Sequence, residues 1–345
     1  MISNIGETTA APALPGPRGP LSEAIIAALS SGSLDPLAGA DPGQADPFGE
    51  DLQIGLYICY ELHYRGFGQV DPGWEWEPEL LRLRGVLERR FLSAMRTAVP
   101  GGDDVDSALD QVSLDATADA GGVSGHLRDE GEWWQLREFV AHRSLYHLKE
   151  ADPHAWVIPR LHGRAKASLV AVEFDEFGGG RPERMHARLF ADLMAGLGLD
   201  ASYGRYLDVV PGVTLATVNM MSLFGLHRAL RGALVGHFAA AEISTPPSAQ
   251  RMADALDRMG GGPRCGDFFT EHIEADAVHE QVLRHDVVGD LLAHEPDLAA
   301  DVVLGVQVTE MLEGRLGRHL LAHWSAGRSS LRSALPSART PGGGL

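Results

Sequence analysis

The chain has 345 residues, and its 47 acidic and 29 basic side chains give a formal net charge of −18 with histidine neutral. Proteins that bind nucleic acid or anionic membrane rely on clustered Lys and Arg, and no such cluster occurs here, so neither partner is expected. The two cysteines cannot build a thiolate cage, so a bound metal would need nitrogen and oxygen ligands.

The N-terminal part is predicted to contain a leader followed by a small helical segment. Residues 1–20 lack the basic-then-apolar order of a signal peptide and are expected to be disordered. Apolar residues recur every three or four positions within 21–98, which predicts helices over 21–29, 51–66 and 77–97. Because no stretch reaches the roughly 20 apolar residues of a membrane span, a cytoplasmic protein is expected.

Residues 99–131 differ in composition from their neighbours. They hold eight acidic residues against one arginine, and two glycine pairs bracket a short helix. This composition is typical of a solvated connection, so we place an acidic linker and a domain boundary here.

Residues 132–324 form the main predicted domain, and 325–345 a disordered tail. Helical periodicity continues throughout and sustained two-residue alternation is absent, which predicts an all-α helical bundle with an additional N-terminal helical segment. Pro246 and Pro247 are expected to end the longest helix, 212–243. The other predicted helices cover 132–150, 159–173, 181–196, 248–260, 266–284 and 298–323.

The most informative motif is a histidine and carboxylate triplet in the penultimate helix of this domain. His272, Asp276 and His279 fall within about 60° of one another on a helix of about 100° per residue. Three titratable groups on one inward face are costly to bury unless a divalent cation neutralises them. The alternative is a solvated face, since other glutamates make this helix polar on several sides.

Two further features strengthen the metal hypothesis. Glu183 and His186 form an E-x-x-H motif, which together with Asp276 and His279 follows the ligand logic of ferritin-like di-iron proteins. Glu242 is the single acid in a long apolar and small-residue run, where burial favours a neutralising partner. A position near the helix end, with arginine or water as partner, is the alternative for Glu242.

The order of a Glu and a His, then a Glu late in a long helix, then His-x3-Asp-x2-His resembles the heme-oxygenase-like diiron oxidases and oxygenases. The same bundle occurs in thiaminase-type proteins, and the resemblance covers about residues 132–324. Two stretches, Tyr60–Phe67 and Asp175–Gly180, look like bacterial proteins described as iron-containing redox enzymes.

The resemblance implies a set of metal ligands in this chain: Glu176, His186, Glu242, His272, Asp276 and His279. Glu176 and His186 are ten residues apart, about 280° out of phase on a continuous helix, so they can share a site only if the intervening glycines and Pro182 break it. Glu183 needs no such break and remains the rival. Some relatives use an additional carboxylate from the preceding helix, and Glu150, at the end of the helix from 132, lies where such a ligand would be expected. A solvated helix end is its alternative.

These ligands suit iron or manganese, and the resemblance favours two iron ions with O₂ as co-substrate. The leading hypothesis is an oxidase or oxygenase acting on an amino acid or amine by N-oxygenation, desaturation or oxidative cleavage, with an external electron donor allowed. The alternatives are a metal-independent thiaminase-type hydrolase or oxidase, and a ferritin-like metal-binding bundle in which Glu183 coordinates and Glu176 and His272 do not.

Two further expectations concern partners. Arg228 is a candidate for pairing with a substrate carboxylate. A homodimer is expected because the helices within 51–97 carry apolar residues that need a surface, among them Leu56, Tyr57 and Trp76. The chain's own core could provide that surface instead.

Overall fold

In the computed structural model the described residues are 11–118 and 121–335, without the side chains of 263–264 and 274–278. All the regular secondary structure in these residues is helical, and they contain no strand, which confirms the predicted all-α fold. None of the described helices has the length and apolar character needed to cross a bilayer.

Three N-terminal helices pack on the bundle: α1 (Pro20–Ser31), α2 (Glu50–Glu61) and α3 (Pro78–Ala98). Glu77 caps α3 by accepting a hydrogen bond from the Glu79 amide, and Pro78 occupies the first turn, where its missing N–H costs nothing. Leu56 and Tyr57 are buried in the chain's own core, whereas Trp76 is 66% exposed. Two of the three residues that suggested a dimer therefore already have a surface to pack on, and the dimer stays a prediction.

The predicted acidic linker contains two packed helices, α4 (Val105–Ala118) and α5 (Val123–Asp129). The Arg251 guanidinium donates to the Ala116 carbonyl and to Ser124 Oγ, at 3.1 and 2.9 Å. Arg251 thus satisfies a carbonyl near the end of α4 and contacts the start of α5. Helices α4 and α5 form a layer on the bundle, and the division of the chain into domains stays a prediction.

The bundle itself contains nine α-helices and one π-helix among the described residues. Its first five helices are α6 (Trp133–His147), α7 (Asp152–Ala155), α8 (Gly163–Glu176), α9 (His186–Gly196) and α10 (Gly212–Leu226). Its last elements are α11 (Arg231–Arg258), α12 (Pro263–Gln281), the π-helix Val282–Gly289, α13 (Asp290–His294) and α14 (Ala299–Ser325).

The prediction that Pro246 and Pro247 end the long helix was wrong. The predicted helix 212–243 is instead divided at His227, whose extended backbone separates α10 from α11, and both prolines lie inside α11. Each proline removes an N–H from the helix ladder. Beyond them Ala249, Met252 and Leu256 are buried in the core, and this packing keeps the chain helical to Arg258.

Helices α11 and α14 approach each other closely. A Cβ atom at Gly236 would overlap the Val302 carbonyl oxygen, and one at Gly305 would overlap the Ala233 carbonyl oxygen. Glycine at both positions therefore lets the two backbones touch. This contact fixes the position of α11, the helix that carries His237 and Glu242.

The two chain ends were predicted to be disordered. Residues 1–10 and 336–345 lie outside the described residues. Residues 326–335 contain a buried contact, in which the Ser330 amide and hydroxyl donate to Glu138 Oε2 at 2.9 and 2.7 Å. The first part of the predicted tail is therefore held by a carboxylate on α6.

Candidate metal centre

Six buried side chains from five segments form two groups that could each hold a metal ion. One group is Glu150, His186 and His272, and the other is Glu176, Glu242 and His279. In each group three ligand atoms lie within 4.8 Å of one another. None of the six residues is more than 7% exposed, so the polar atoms face the protein interior.

The first group lies where the end of α6 meets α9 and α12. Glu150 Oε1 is 2.9 Å from His147 Nδ1 and 3.8 Å from His272 Nε2. The imidazole rings of His186 and His272 have their centroids 4.4 Å apart. Burial alone would raise the pKa of Glu150, but His147 and His272 outweigh it and hold that pKa well below its ordinary value.

The tautomer of His272 follows from its surroundings. Nδ1 lies 2.7 Å from the Phe268 carbonyl oxygen, which can only accept, so Nδ1 carries the hydrogen. Nε2 then presents its lone pair on the side of Glu150. A backbone carbonyl bonded to the far nitrogen is a common support for a metal-binding histidine.

The second group joins α8, α11 and α12. His279 Nδ1 is 3.1 Å from Glu242 Oε2 and 3.8 Å from Glu176 Oε1. Its other ring nitrogen, Nε2, is 3.2 Å from Asp175 Oδ2. Asp175 thus holds the outer nitrogen and orients Nδ1 toward the two glutamates, which is the usual role of a supporting carboxylate.

The two groups are joined by Glu176 and His186, whose Oε2 and Nδ1 atoms are 2.9 Å apart. Glu176 is the last residue of α8 and His186 the first of α9. Gly178, Gly179 and Gly180 between them all have positive φ, a conformation that other residues adopt at a cost. Burial alone would lower the pKa of His186, but Glu176 outweighs it and the net pKa is raised.

The donor atoms of these groups fit a divalent metal. His186 Nε2, Glu150 Oε2 and Glu176 Oε1 are buried without a hydrogen-bond partner among the described residues. An unsatisfied buried polar atom costs about 1–3 kcal/mol, so three of them in one place indicate a missing ligand. Imidazole nitrogen and carboxylate oxygen together are the donors that non-heme iron and manganese use.

Glu173 is a further carboxylate that the sequence analysis did not select. It lies one helical turn before Glu176 on α8, is 2% exposed, and neither of its oxygens has a hydrogen-bond partner among the described residues. Burial, followed by the negative charges of Glu176 and Glu242, raises the pKa of Glu173 to about 9. Its spacing from Glu176 is the signal that could have identified it.

The structure separates the predicted site residues into three sets. Glu150, Glu176, His186, Glu242, His272 and His279 come together as described above. The side chain of Asp276, on α12, lies outside the described residues. Glu183 is exposed in a 3₁₀ turn between α8 and α9, and Arg228 is exposed between α10 and α11, so neither contributes to the two groups.

A cavity of about 710 Å³ adjoins both groups. Glu150 and His272 of the first group and Glu242 of the second contribute to its wall, together with Tyr146, His154, Phe190, His237 and Phe268. Arg228 does not line it. The cavity is large enough for a small organic molecule and has the mixed apolar and polar lining typical of such sites.

The geometry weighs against both alternatives from the sequence. Cys59 and Cys265 do not line this cavity, and burial raises the pKa of both thiols, that of Cys59 to about 12, so neither suits a nucleophile. The ferritin-like alternative needs Glu183 as a ligand and excludes Glu176 and His272. In the structure Glu176 and His272 are buried and Glu183 is exposed, which is the opposite of that requirement.

Comparison with known proteins agrees with this geometry. The chain is 26% identical over 166 residues to the nitrosourea synthase of Streptomyces achromogenes subsp. streptozoticus, a match that covers 48% of this chain and 35% of that protein. The match therefore spans about a third of the relative's length. Residues 137–314, which include all six buried ligand candidates, match the family described as iron-containing redox enzymes, and the chain belongs to that family.

Proposed function

We propose that this chain is an O₂-dependent non-heme diiron oxidase or oxygenase that acts on a small organic molecule in the cavity beside the two groups. The observation that carries this proposal is the pair of buried histidine and carboxylate groups joined by the contact between Glu176 and His186. Membership of an iron-containing redox enzyme family supports iron over manganese or zinc.

One iron ion would be held by Glu150, His186 and His272, and the other by Glu176, Glu242 and His279. The resemblance adds Asp276. When bound, two ferrous ions would supply the electrons for the activation of O₂ and hence for oxidation of a substrate. The three glutamates together with Asp276 would carry four negative charges, which would balance the four positive charges of two ferrous ions within a buried site.

The remaining residues of the site orient the ligands. The Phe268 carbonyl holds Nδ1 of His272, His147 holds Oε1 of Glu150, and Asp175 holds Nε2 of His279. Each of these contacts leaves another atom of the same side chain for a metal. Such supporting contacts are typically worth 10- to 100-fold in metal affinity, so Asp175 and His147 are positioning residues.

Two aromatic rings line the cavity beside the buried ligand candidates. The rings of Phe190 and Phe268 pack edge to face against each other, with centroids 5.1 Å apart, and both line the cavity. A substrate in this space would lie between these rings and the carboxylates. The relative is named for the synthesis of a nitrosourea, which supports a nitrogen-bearing substrate such as an amino acid or amine, and N-oxygenation among the three reaction types.

The test is anaerobic loading with Fe(II), followed by exposure to O₂. We expect about two iron ions per chain and O₂ consumption that depends on the bound iron. The His272→Ala variant should lose iron, whereas the matched His294→Ala variant, whose side chain is 75% exposed on α13, should load fully. Retention of less than one iron ion per chain by the parent protein would contradict the proposal.

A further inference from the structure

Two buried histidines in the cavity wall take no part in the metal groups. His154 lies on α7 and His237 on α11, each is 1% exposed, and their ring centroids are 5.2 Å apart. Both line the cavity next to Glu150 and Glu242. The Nε2 atom of each ring is buried and has no hydrogen-bond partner among the described residues. Two adjacent imidazoles with unsatisfied nitrogens indicate that a ligand completes this wall.

The hydrogen position on His237 follows from its neighbour. Its Nδ1 lies 2.8 Å from Thr309 Oγ1, and the single hydroxyl hydrogen of Thr309 is donated to the Gly305 carbonyl at 2.8 Å. The hydroxyl oxygen can therefore only accept from the ring, so Nδ1 carries the hydrogen. His237 Nε2 is then a hydrogen-bond acceptor. The close contact of α11 with α14 through Gly236 and Gly305 fixes this arrangement.

The complementary tautomer is expected for His154. Its Nδ1 lies 3.4 Å from the Tyr146 hydroxyl, and burial, followed by the charge of Glu150, raises the pKa of that hydroxyl well above its ordinary value. Tyr146 therefore keeps its hydrogen and can donate it to Nδ1. With Tyr146 as the donor, His154 Nε2 carries the ring hydrogen and is itself a donor. The His154 ring is held flat against Phe238, with centroids 4.2 Å apart.

Both rings are uncharged at neutral pH. Burial, followed by the neighbouring imidazole of His237, lowers the pKa of His154 well below its ordinary value. Burial also lowers the pKa of His237, to about 4. A ligand group at this wall therefore meets one neutral acceptor and one neutral donor.

We propose that His237 and His154 form a recognition site for an uncharged substrate group that presents both an N–H and a C=O, as a carboxamide does. The N–H donates to His237 Nε2, and the carbonyl oxygen accepts from His154 Nε2. A carboxylate would place an acceptor against the lone pair of His237, and an ammonium group has no acceptor for His154. That the bound group belongs to a substrate rests on the proposed function, whereas the tautomers and the preference for an amide do not.

The experiment uses metal-free protein with ¹⁵N-labelled histidine and three probes of equal chain length: hexanamide, hexanoate and hexylamine. Nitrogen NMR reports which ring nitrogen of each histidine carries hydrogen, and the signals of His237 are identified by their loss in His237→Phe. We expect His237 hydrogenated at Nδ1 and His154 at Nε2 in the free protein. Hexanamide should shift both Nε2 signals, because each nitrogen gains a hydrogen-bond partner.

Variants separate recognition from folding. His237→Phe and Thr309→Val should each weaken hexanamide binding by about tenfold, the loss expected for one buried hydrogen bond. The exposed His294→Phe variant should bind as the parent does. Thr309→Val replaces one hydroxyl by a methyl group of similar size, so it still tests the proposal if His237→Phe does not fold.

Specific outcomes would overturn the proposal. They are a hydrogen on Nε2 of His237 in the free protein, binding of hexanoate or hexylamine as tight as that of hexanamide, or unchanged hexanamide binding in both variants. Iron loading is measured separately on each protein. Failure to bind iron would overturn the proposed function and leave the amide preference standing, whereas normal iron loading without amide preference would do the reverse.

Discussion

Glu176 and His186 lie ten residues apart in the sequence, yet Glu176 Oε2 and His186 Nδ1 are 2.9 Å apart. The chain between them makes this contact by passing through three glycines in the left-handed conformation and a short 3₁₀ turn. Among these glycines, Gly178 is the most restricted, because a Cβ atom there would lie 2.6 Å from the Met185 amide nitrogen. The position of His186 therefore depends on the absence of a side chain at residue 178.

The Gly178→Ala variant should unfold more easily and bind iron more weakly. The left-handed conformation costs an alanine about 1–2 kcal/mol, and the overlap with Met185 adds a further 1–3 kcal/mol. Gly180→Ala is the matched control: its φ of +79° is similar, but its Cβ would meet only a Phe174 ring carbon, at 3.9 Å. Unfolding in denaturant and iron titration measure both effects. Equal behaviour of the two variants would show that the close approach at residue 178 does not position His186.

Replacement of one glutamate at a time distinguishes Glu176 from Glu183 as the metal ligand. Glu176→Gln keeps the shape of the side chain and removes its charge, so we expect iron affinity to fall by about 100-fold or more, beyond the 10- to 100-fold typical of a supporting residue. Glu183→Gln, on an exposed side chain of the same connection, should change iron affinity by less than about twofold. Iron titration followed by metal analysis decides the question. A larger loss in Glu183→Gln would reverse the assignment.

Local periodicity predicted the helices and the triplet of ligand candidates on α12, whereas Glu150 and Glu176 followed only from the family resemblance. The triplet around His272 and His279 is visible at helical spacing, and a carboxylate such as Glu242 in an apolar run is conspicuous. Residues whose role depends on contacts between distant segments were not identifiable in this way. His154 and His237 are 83 positions apart and meet only because α7 packs beside α11.

The wrong prediction about the end of the long helix has a similar physical origin. Proline predicts a helix end from local sterics, and burial of the residues that follow Pro246 and Pro247 overrides that tendency in α11. An acidic composition predicts a solvated linker over residues 99–131, which stays a prediction. Within it, Arg251 and Arg258 of α11 donate hydrogen bonds to α5. Arg228 lies in the short turn between α10 and α11. Helical periodicity predicted one continuous helix there, so it did not indicate that Arg228 is exposed.

The stability of the metal-free protein should depend on pH through His237. Because burial lowers its pKa to about 4 from about 6.5, the unfolded chain takes up a proton first as the pH falls. The stabilisation is complete above pH 6.5, and about 3 kcal/mol of it is lost as the pH falls toward 4. The slope of unfolding free energy against pH in this window should be shallower in His237→Phe. An unchanged slope would indicate that His237 is already protonated in the folded state.

A buried ion pair joins the N-terminal helices to the candidate metal centre. Lys149 Nζ on the chain after α6 lies 3.1 Å from Glu61 Oε2 at the end of α2, and both side chains are almost fully buried. Tyr203 also donates to both oxygens of Glu61, at 2.8 and 2.9 Å. Lys149 precedes the ligand candidate Glu150, so the pair fixes the chain where the first metal group begins.

Lys149→Met would leave the Glu61 carboxylate buried without its cation, which should cost about 3–5 kcal/mol of folding stability. Adding Glu61→Gln removes the unpaired charge while an amide oxygen still accepts from Tyr203, so the double variant should recover part of that loss. Arg82→Met provides the surface comparison, since its pair with Glu79 is 71% and 50% exposed and should contribute less than about 1 kcal/mol. Denaturant unfolding measures all three variants. If the double variant were as unstable as Lys149→Met alone, loss of packing rather than an uncompensated charge would be the cause.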